Sequence, residues 1–112
     1  MSTHQPTLRL DGELTIYQVG ARYDELHLAL QQCLAQEITP EQSEQQPTIT
    51  IDTSELIEVD SAGLQLLVQL TQRARQTDIA VHWQTPSAAL TQMIELYNAA
   101  QWFENSSEAR QS

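Results

Sequence analysis

The hydrophobic pattern changes period repeatedly along the chain, and this alternation constrains the fold more than any other feature. Apolar residues recur at every second position, as in β-strands, at 8–16, 48–52 and 79–83. They recur at helical spacing at 21–36, 60–76 and 88–97. Strands that alternate with helices predict an α/β domain with a mixed, mostly parallel β-sheet and helices packed on it.

Details of the strand regions lead to further predictions. Asp11-Gly12 interrupts the first region and is typical of a tight turn, so two short strands are expected there. The strand in the 48–52 region is expected to end at Asp52, and a loop over 53–59 should lead into the next helix. A short last strand at Trp102-Phe103 would follow the order β-β-α-β-α-β-α.

The length of the chain, 112 residues, fits one domain. We expect a flexible N-terminus at 1–7, the folded domain at 8–104 and a flexible tail at 105–112. The stretch 39–47 contains two prolines and no apolar residue, which predicts a solvated loop. Because Cys33 is the only cysteine, and because no signal peptide or membrane span is recognisable, we expect a cytoplasmic protein without a disulfide.

The inventory of charges excludes several classes of function. The chain has five arginines, no lysine and 15 acidic residues, and its net charge is −10. P-loop nucleotide sites, Schiff-base enzymes and two-component receiver domains each depend on a lysine. Scattered arginines cannot neutralise a row of phosphates, so neither nucleic acid nor an acidic membrane face is an expected partner. An acidic interaction module or an unusual enzyme remains.

The segment with the most information leads from the strand at 48–52 into the helix that begins at Asp60-Ser61-Ala62-Gly63-Leu64. Either Asp60 or Ser61 could accept a hydrogen bond from an orphan backbone amide of the first turn, which is worth about 1 kcal/mol. Gly63 would let another backbone, or a partner, come close. Taken alone, this pattern indicates a helix cap and nothing more.

The whole run from Ile49 to Leu64, ITIDTSELIEVDSAGL, resembles the signature of the STAS domain, the fold of bacterial anti-sigma factor antagonists. That signature is a buried strand ending in Asp-Leu-Ser, a short loop, and Asp-Ser-Ser/Ala-Gly-Leu opening a helix. Thr53 departs from it, since the family usually has Leu there, and the 39–47 loop is longer than in compact members. Three further segments resemble the family's second strand, third helix and terminal hydrophobic pair: 12–16, 86–97 and Trp102-Phe103.

The resemblance implies a binding module without catalysis, cofactor or metal. Ser61 matches the family's phospho-acceptor and Asp60 its acidic neighbour, and the unphosphorylated protein would dock on a serine kinase/anti-sigma factor of the GHKL type. A PP2C-like phosphatase would restore docking. The implied docking surface, which should favour a basic partner, comprises Asp52, Ser54, Glu55, Glu58, Asp60, Ala62, Gly63 and Leu64.

Other members of the resembled family have other partners. One alternative is an accessory subunit of an ABC transporter, including those that move lipid, which binds the transporter's ATPase subunit through the same helix. Another is a signalling module of a chemotaxis-type system. None of these roles requires insertion into the membrane.

Several residues admit alternatives that the sequence leaves open. Ser54 is a possible second phospho-acceptor, or it only makes a local turn hydrogen bond. Asp52 and Asp60 could form a carboxylate pair or a Mg²⁺ site, although no third ligand or base accompanies them. A hydrolase would need His4, His27 or His82 to reach Ser61, and no Gly-x-Ser-x-Gly elbow is present. We expect core positions, rather than reactive or ligand-binding ones, for Cys33, Tyr97, Trp83, Trp102 and Phe103.

Overall fold

A computed structural model describes residues 7–35 and 47–104. The predicted α/β class is confirmed, and the described strands form a three-stranded sheet that is parallel throughout. Thr7, which we expected in the flexible N-terminus, begins the first strand, whereas the rest of the predicted terminal segments and most of the predicted 39–47 loop lie outside the described residues. The elements in chain order are β1 (Thr7–Leu14), α1 (Val19–Ala35), β2 (Thr48–Val59), α2 (Ser61–Gln76), β3 (Ala80–Trp83), α3 (Ala88–Leu96) and a 3-10 helix (Ala100–Phe103).

The strand β2 lies in the middle of the sheet, in the order β1-β2-β3. It pairs with β1 from Thr50 to Val59, whereas β3 pairs only with its first four residues, Thr48 to Ile51. The second half of β2 therefore extends beyond β3. Its last residue lies beside the last residue of β1, because Val59 is paired with Leu14.

The strand β1 runs without interruption through Asp11-Gly12, so the predicted turn there is wrong. Gly12 instead has a φ of +73°, a conformation that suits glycine, at a point where the pairing register shifts. Asp11-Gly12 therefore marks an irregularity within a strand rather than a reversal of the chain.

The strand β2 continues to Val59, and the predicted loop over 53–59 is also wrong. The pairing of β1 with β2 contains two register shifts, and at each of them β2 supplies one residue more than β1. These bulges change the spacing of buried side chains from two residues to three, at Thr53, Leu56 and Val59. Because the two-residue alternation is lost, the sequence pattern there does not resemble a strand.

The core lies between the sheet and its helices. The side chains that are fully buried come from all three strands or their flanks and from each α-helix, and they include Leu10, Leu14, Leu26, Ile49, Ile51, Leu67, Ile79 and Leu90. Cys33 is a core residue, as predicted, and its burial raises the pKa of its thiol. None of the helices in the described ranges is long and apolar enough to cross a membrane.

The aromatic residues near the C-terminus pack in a 3-10 helix and not in the short last strand that we predicted. The ring of Phe103 lies 4.7 Å from that of Trp83, and the Arg75 guanidinium lies 4.9 Å above the ring of Trp102. These three aromatic residues pack on or within the core, as expected. Tyr97 does not, because it is largely exposed at the end of α3.

We predict that Thr53→Val stabilises the fold. The Thr53 side chain is 0% exposed, and its hydroxyl has no hydrogen-bond partner in the described part of the chain. A buried hydroxyl without a partner costs about 1–3 kcal/mol, and valine has nearly the same shape without that cost. The free energy of unfolding in urea should therefore rise by about 1 kcal/mol.

Thr71→Val is the matched control, because the Thr71 hydroxyl is also buried but donates to the carbonyl of Leu67 at 3.1 Å. The carbonyl oxygen of Trp102, at 3.3 Å, is a second acceptor. This substitution should lower the free energy of unfolding by about 1 kcal/mol. Equal losses in both variants would show that the Thr53 hydroxyl has a partner after all.

Candidate functional site

The segment singled out in the sequence analysis lies at the edge of the sheet where β1 and β2 end. Leu14 and Val59 are neighbours in the register, so the loop that follows β1 meets the first turn of α2. In parallel α/β sheets, the carboxyl ends of the strands form the edge at which ligands commonly bind. We call this edge, with the loop 15–18 and residues 58–62, the docking edge.

Asp60 holds the two parts of the docking edge together. It is the N-cap of α2, where its Oδ1 accepts a hydrogen bond from the Gly63 amide at 2.9 Å. Its Oδ2 accepts another from the Ile16 amide at 3.0 Å. The Gly63 bond, with a smaller contribution from the Ile16 bond, lowers the pKa of the Asp60 carboxyl. Asp60 is therefore more than a cap, because it also ties the β1–α1 loop to α2.

Gly63 is the point of closest approach between α2 and β1. A methyl group built on it would overlap the carbonyl oxygen of Leu14, so only glycine fits here. The close neighbour is thus a backbone of the same chain. Gly63 and Leu64 are both buried, and the structure gives them a role in positioning the docking edge rather than in contacting a partner.

Ser61 is the first residue of α2 and is exposed. In the described part of the chain its side chain makes no hydrogen bond, and the residue is exposed to solvent. The helix N-terminus beside it carries a partial positive charge that stabilises an added anion. An added phosphate at this exposed position would therefore be compatible with the start of the helix.

The loop between β1 and α1 has its own hydrogen-bond network. The Gln18 Oε1 accepts from the Thr15 amide at 2.9 Å and from the Thr15 hydroxyl at 2.6 Å. Thr15 itself is buried. This arrangement leaves two apolar side chains in solvent, Ile16 at 60% exposure and Tyr17 at 90%. Ile57, close to the end of β2, is 74% exposed.

The alternating pattern at 8–16 predicts a strand position for Ile16 and indicates no role for Tyr17. A signal for the loop was present, because Thr15-Ile16-Tyr17-Gln18 has the spacing of a capping box at a helix start. The bond from the Thr15 amide to the Gln18 side chain is the reach-back half of that motif. The exposure of Tyr17 itself could not have been derived, since it depends on how the loop meets α2.

The predicted docking surface is divided by the length of β2. Glu58, exposed and paired in register with Glu13, lies at the docking edge, and Glu55 lies further back, opposite Asp11. Asp52 pairs with Arg9, five residues before the end of β1 at Leu14, which at about 3.3 Å per residue places it roughly 17 Å from the docking edge. The expectation that Asp52 and its neighbour Ser54 lie beside Ser61 does not match this placement.

Asp52 and Ser54 form a separate cluster. The Asp52 Oδ1 accepts hydrogen bonds from the Ser54 hydroxyl at 2.7 Å and from the Ser54 amide at 3.0 Å. These two bonds, together with the more distant Arg9, lower the pKa of the Asp52 carboxyl. The local turn bond that we considered for Ser54 is therefore present. An open hollow of about 450 Å³ borders the cluster and is also lined by His82 and Thr85.

The catalytic alternatives are not assembled at the docking edge. Asp52 and Asp60 are too far apart to act as a pair, and His82 lies beside Asp52 rather than beside Ser61. His27 lines a cavity of about 260 Å³ between α1 and α2, away from the docking edge. His4 lies outside the described residues. Within the described ranges, no three His, Cys, Asp or Glu side chains group as metal ligands.

Comparison with known families agrees with the architecture and the motif. A family model described as "Mlab, STAS domain" matches residues 1–104. The chain therefore belongs to the STAS domain family, and the resemblance seen in the 49–64 segment is confirmed. STAS domains are, in general, non-catalytic modules for protein interaction. No curated protein matches the chain closely enough to count as a relative.

We predict that Gly63→Ala destabilises the fold. The added methyl group meets the backbone of Leu14, which cannot move aside as a flexible side chain could. Overpacking of this kind costs about 1–3 kcal/mol or more, which outweighs the gain of up to about 1 kcal/mol that alanine gives inside a helix. Thermal unfolding should show a clear loss of stability.

Gly20→Ala is its control. Gly20 also lies in the first turn of a helix, α1, but a methyl group built on it meets no atom within 4 Å. This variant should be as stable as the wild type or slightly more stable. If the two substitutions had the same effect, the close approach of Gly63 to Leu14 would be disproved.

We also predict that the contribution of Asp60 to stability depends on pH. The hydrogen bonds lower its folded-state pKa below the value of about 3.9 expected in the unfolded chain. Its stabilisation is thus fully present above that value and is lost as the pH falls through the folded-state pKa. The difference in unfolding free energy between wild type and Asp60→Asn should shrink between pH 5 and pH 3. A difference that stays constant over this range would contradict the assignment.

Proposed function

We propose that this STAS domain is a phosphorylation-switched docking module. In its unphosphorylated form the docking edge binds a partner protein, and a phosphate on Ser61 abolishes binding. The observation that carries the proposal is the position of Ser61, an exposed hydroxyl at the start of a helix that Asp60 and Gly63 fix against β1. The division of β2 described above leaves Ser61, Asp60, Ala62 and Glu58 as the predicted residues at this edge.

The physical basis of the switch is that the phosphate is tolerated by the fold but not by the interface. A phosphoserine carries about −1.5 to −2 charges at pH 7. At the N-terminus of α2 the helix dipole offsets part of this charge, so the domain stays folded. A partner that packs against Ser61 would have to remove water from the phosphate, and the desolvation of such an ion costs several kcal/mol.

The first candidate partner is a serine kinase/anti-sigma factor of the GHKL type, with a PP2C-like phosphatase that reverses the modification. This is the system that the resemblance to anti-sigma factor antagonists implies. Ser54 is a weaker candidate for a second acceptor, because its hydroxyl is engaged by Asp52.

A second candidate is the ATPase subunit of an ABC transporter, bound through the same docking edge. This candidate also comes from the resemblance, because some members of the STAS family, whose model matches residues 1–104, are accessory subunits of ABC transporters. Both candidates use the same surface, and they differ in whether the partner itself transfers the phosphate. Incubation with ATP and each candidate partner, followed by intact-mass measurement, separates them.

We predict that Ser61→Asp weakens binding to the partner at least tenfold, whereas Ser61→Ala binds as the wild type does. The aspartate places a charge inside the interface at a helix position that tolerates it, so the melting temperature should hardly change. Binding is measured by isothermal titration against the purified kinase or ATPase subunit encoded in the same genome.

Ser87→Asp is the matched control for this charge. Ser87 is the N-cap of α3, where its hydroxyl accepts from the Leu90 amide at 3.2 Å, and aspartate caps equally well. This variant adds the same charge at another helix start and should leave binding unchanged. If Ser61→Asp bound as tightly as Ser87→Asp, Ser61 would not be the switch.

A further inference from the structure

The docking edge contains one aromatic side chain, that of Tyr17, which is unusually exposed. Tyr17 is 90% exposed, so the fold itself gains almost nothing from its ring. Ile16 beside it is also mostly exposed. Aromatic side chains generally bury much of their surface, and large apolar groups held in solvent at a binding edge are typical of contact residues.

The loop that carries Tyr17 is held in place from both of its ends. The Gln18 side chain bonds to Thr15, and the backbone amides of Gln18 and Val19 donate to the Thr15 carbonyl at 2.8 and 3.0 Å. From the other side, Asp60 accepts the hydrogen bond of the Ile16 amide. Because the loop backbone is already ordered, a partner would pay little conformational entropy to contact it.

The charges around the loop define what can cover it. Glu13 and Glu58 face each other in the register, and Asp60 follows within the same edge. Arg22, on the neighbouring α1, is already engaged by Asp11 and by Glu25 at 2.8 Å. The surroundings of the exposed pair are therefore acidic. A second copy of the chain is a poor occupant, because a two-fold contact would place these carboxylates against themselves.

From these observations we propose that Tyr17 is the anchor of the docking edge, and that it inserts into an apolar pocket rimmed by arginine or lysine on the partner protein. Ile16 packs at the mouth of that pocket, and the rim cations face Glu13 and Glu58. Tyrosine suits this role because it supplies a large, rigid contact area with only two rotatable side-chain torsions. This assignment rests on the proposed function, since it names the partner chemistry of the same site.

The test is a titration of wild type, Tyr17→Ala and Tyr17→Phe against the kinase or ATPase subunit named above. Tyr17→Ala should raise Kd at least tenfold, and Tyr17→Phe, which keeps the ring, should stay within a few-fold of the wild type. Because the Tyr17 side chain contributes little to the core, the melting temperature of Tyr17→Ala should equal that of the wild type. Tyr97→Ala, at the largely exposed end of α3, is the control and should bind normally.

The outcomes separate the anchor from the switch. If Tyr17→Ala binds as the wild type does while Ser61→Asp is weakened, the anchor is disproved and the switch stands. If Tyr17→Ala is weakened while Ser61→Asp is not, the anchor stands and the switch is disproved. A titration at raised salt gives the second readout: the basic rim predicts a higher Kd, and a Kd independent of salt would disprove the rim.

Discussion

The candidate site depends on the two hydrogen bonds that the carboxylate of Asp60 accepts. Each of its oxygens serves a different element, since one caps α2 through the Gly63 amide and the other holds the β1–α1 loop through the Ile16 amide. One carboxylate therefore connects the start of α2 with a loop that lies 44 residues earlier in the sequence. With the close approach of Gly63 to Leu14, this bond fixes where Ser61 stands relative to the loop that exposes Tyr17.

The bulges of β2 decide which residues share the docking edge with Ser61. In a strand of 12 residues, Asp52 and Glu58 lie far apart, although in sequence they look like neighbours in one acidic segment. The two bulges also turn the strand's outward side, so that Ile57 and Glu58 are exposed in succession between Leu56 and Val59, which are buried. The geometry of one strand therefore divides what the motif presents as a single surface.

The sequence was sufficient for the α/β class, for the three α-helices and for the start of α2 at Ser61, because hydrophobic period and helix capping are local properties. It was insufficient wherever a local signal had two meanings. Asp11-Gly12 is compatible with a hairpin turn or with an irregular strand, and only the pairing with β2 decides between them. The sequence indicates that another backbone comes close to Gly63. Whether that backbone belongs to a partner or to β1 depends on the tertiary fold. Tyr17 was missed because exposure of an aromatic residue leaves no periodic pattern.

The negative charge of the docking edge determines where the phosphate must lie if the proposed switch is to weaken binding. Around Ser61 the docking edge is already negative, through Glu13, Glu58 and Asp60, and its proposed partner is basic. Long-range attraction to a basic partner would, by itself, make a phosphate strengthen docking. That gain is small, because salt at physiological ionic strength screens exposed charges that are more than about 8 Å apart. Docking can weaken only if the phosphate lies inside the contact, where desolvation and the loss of apolar packing cost several kcal/mol. The sign of the switch therefore requires Ser61 to be covered by the same surface that receives Tyr17, and the Asp60 bond to Ile16 is what keeps the two together.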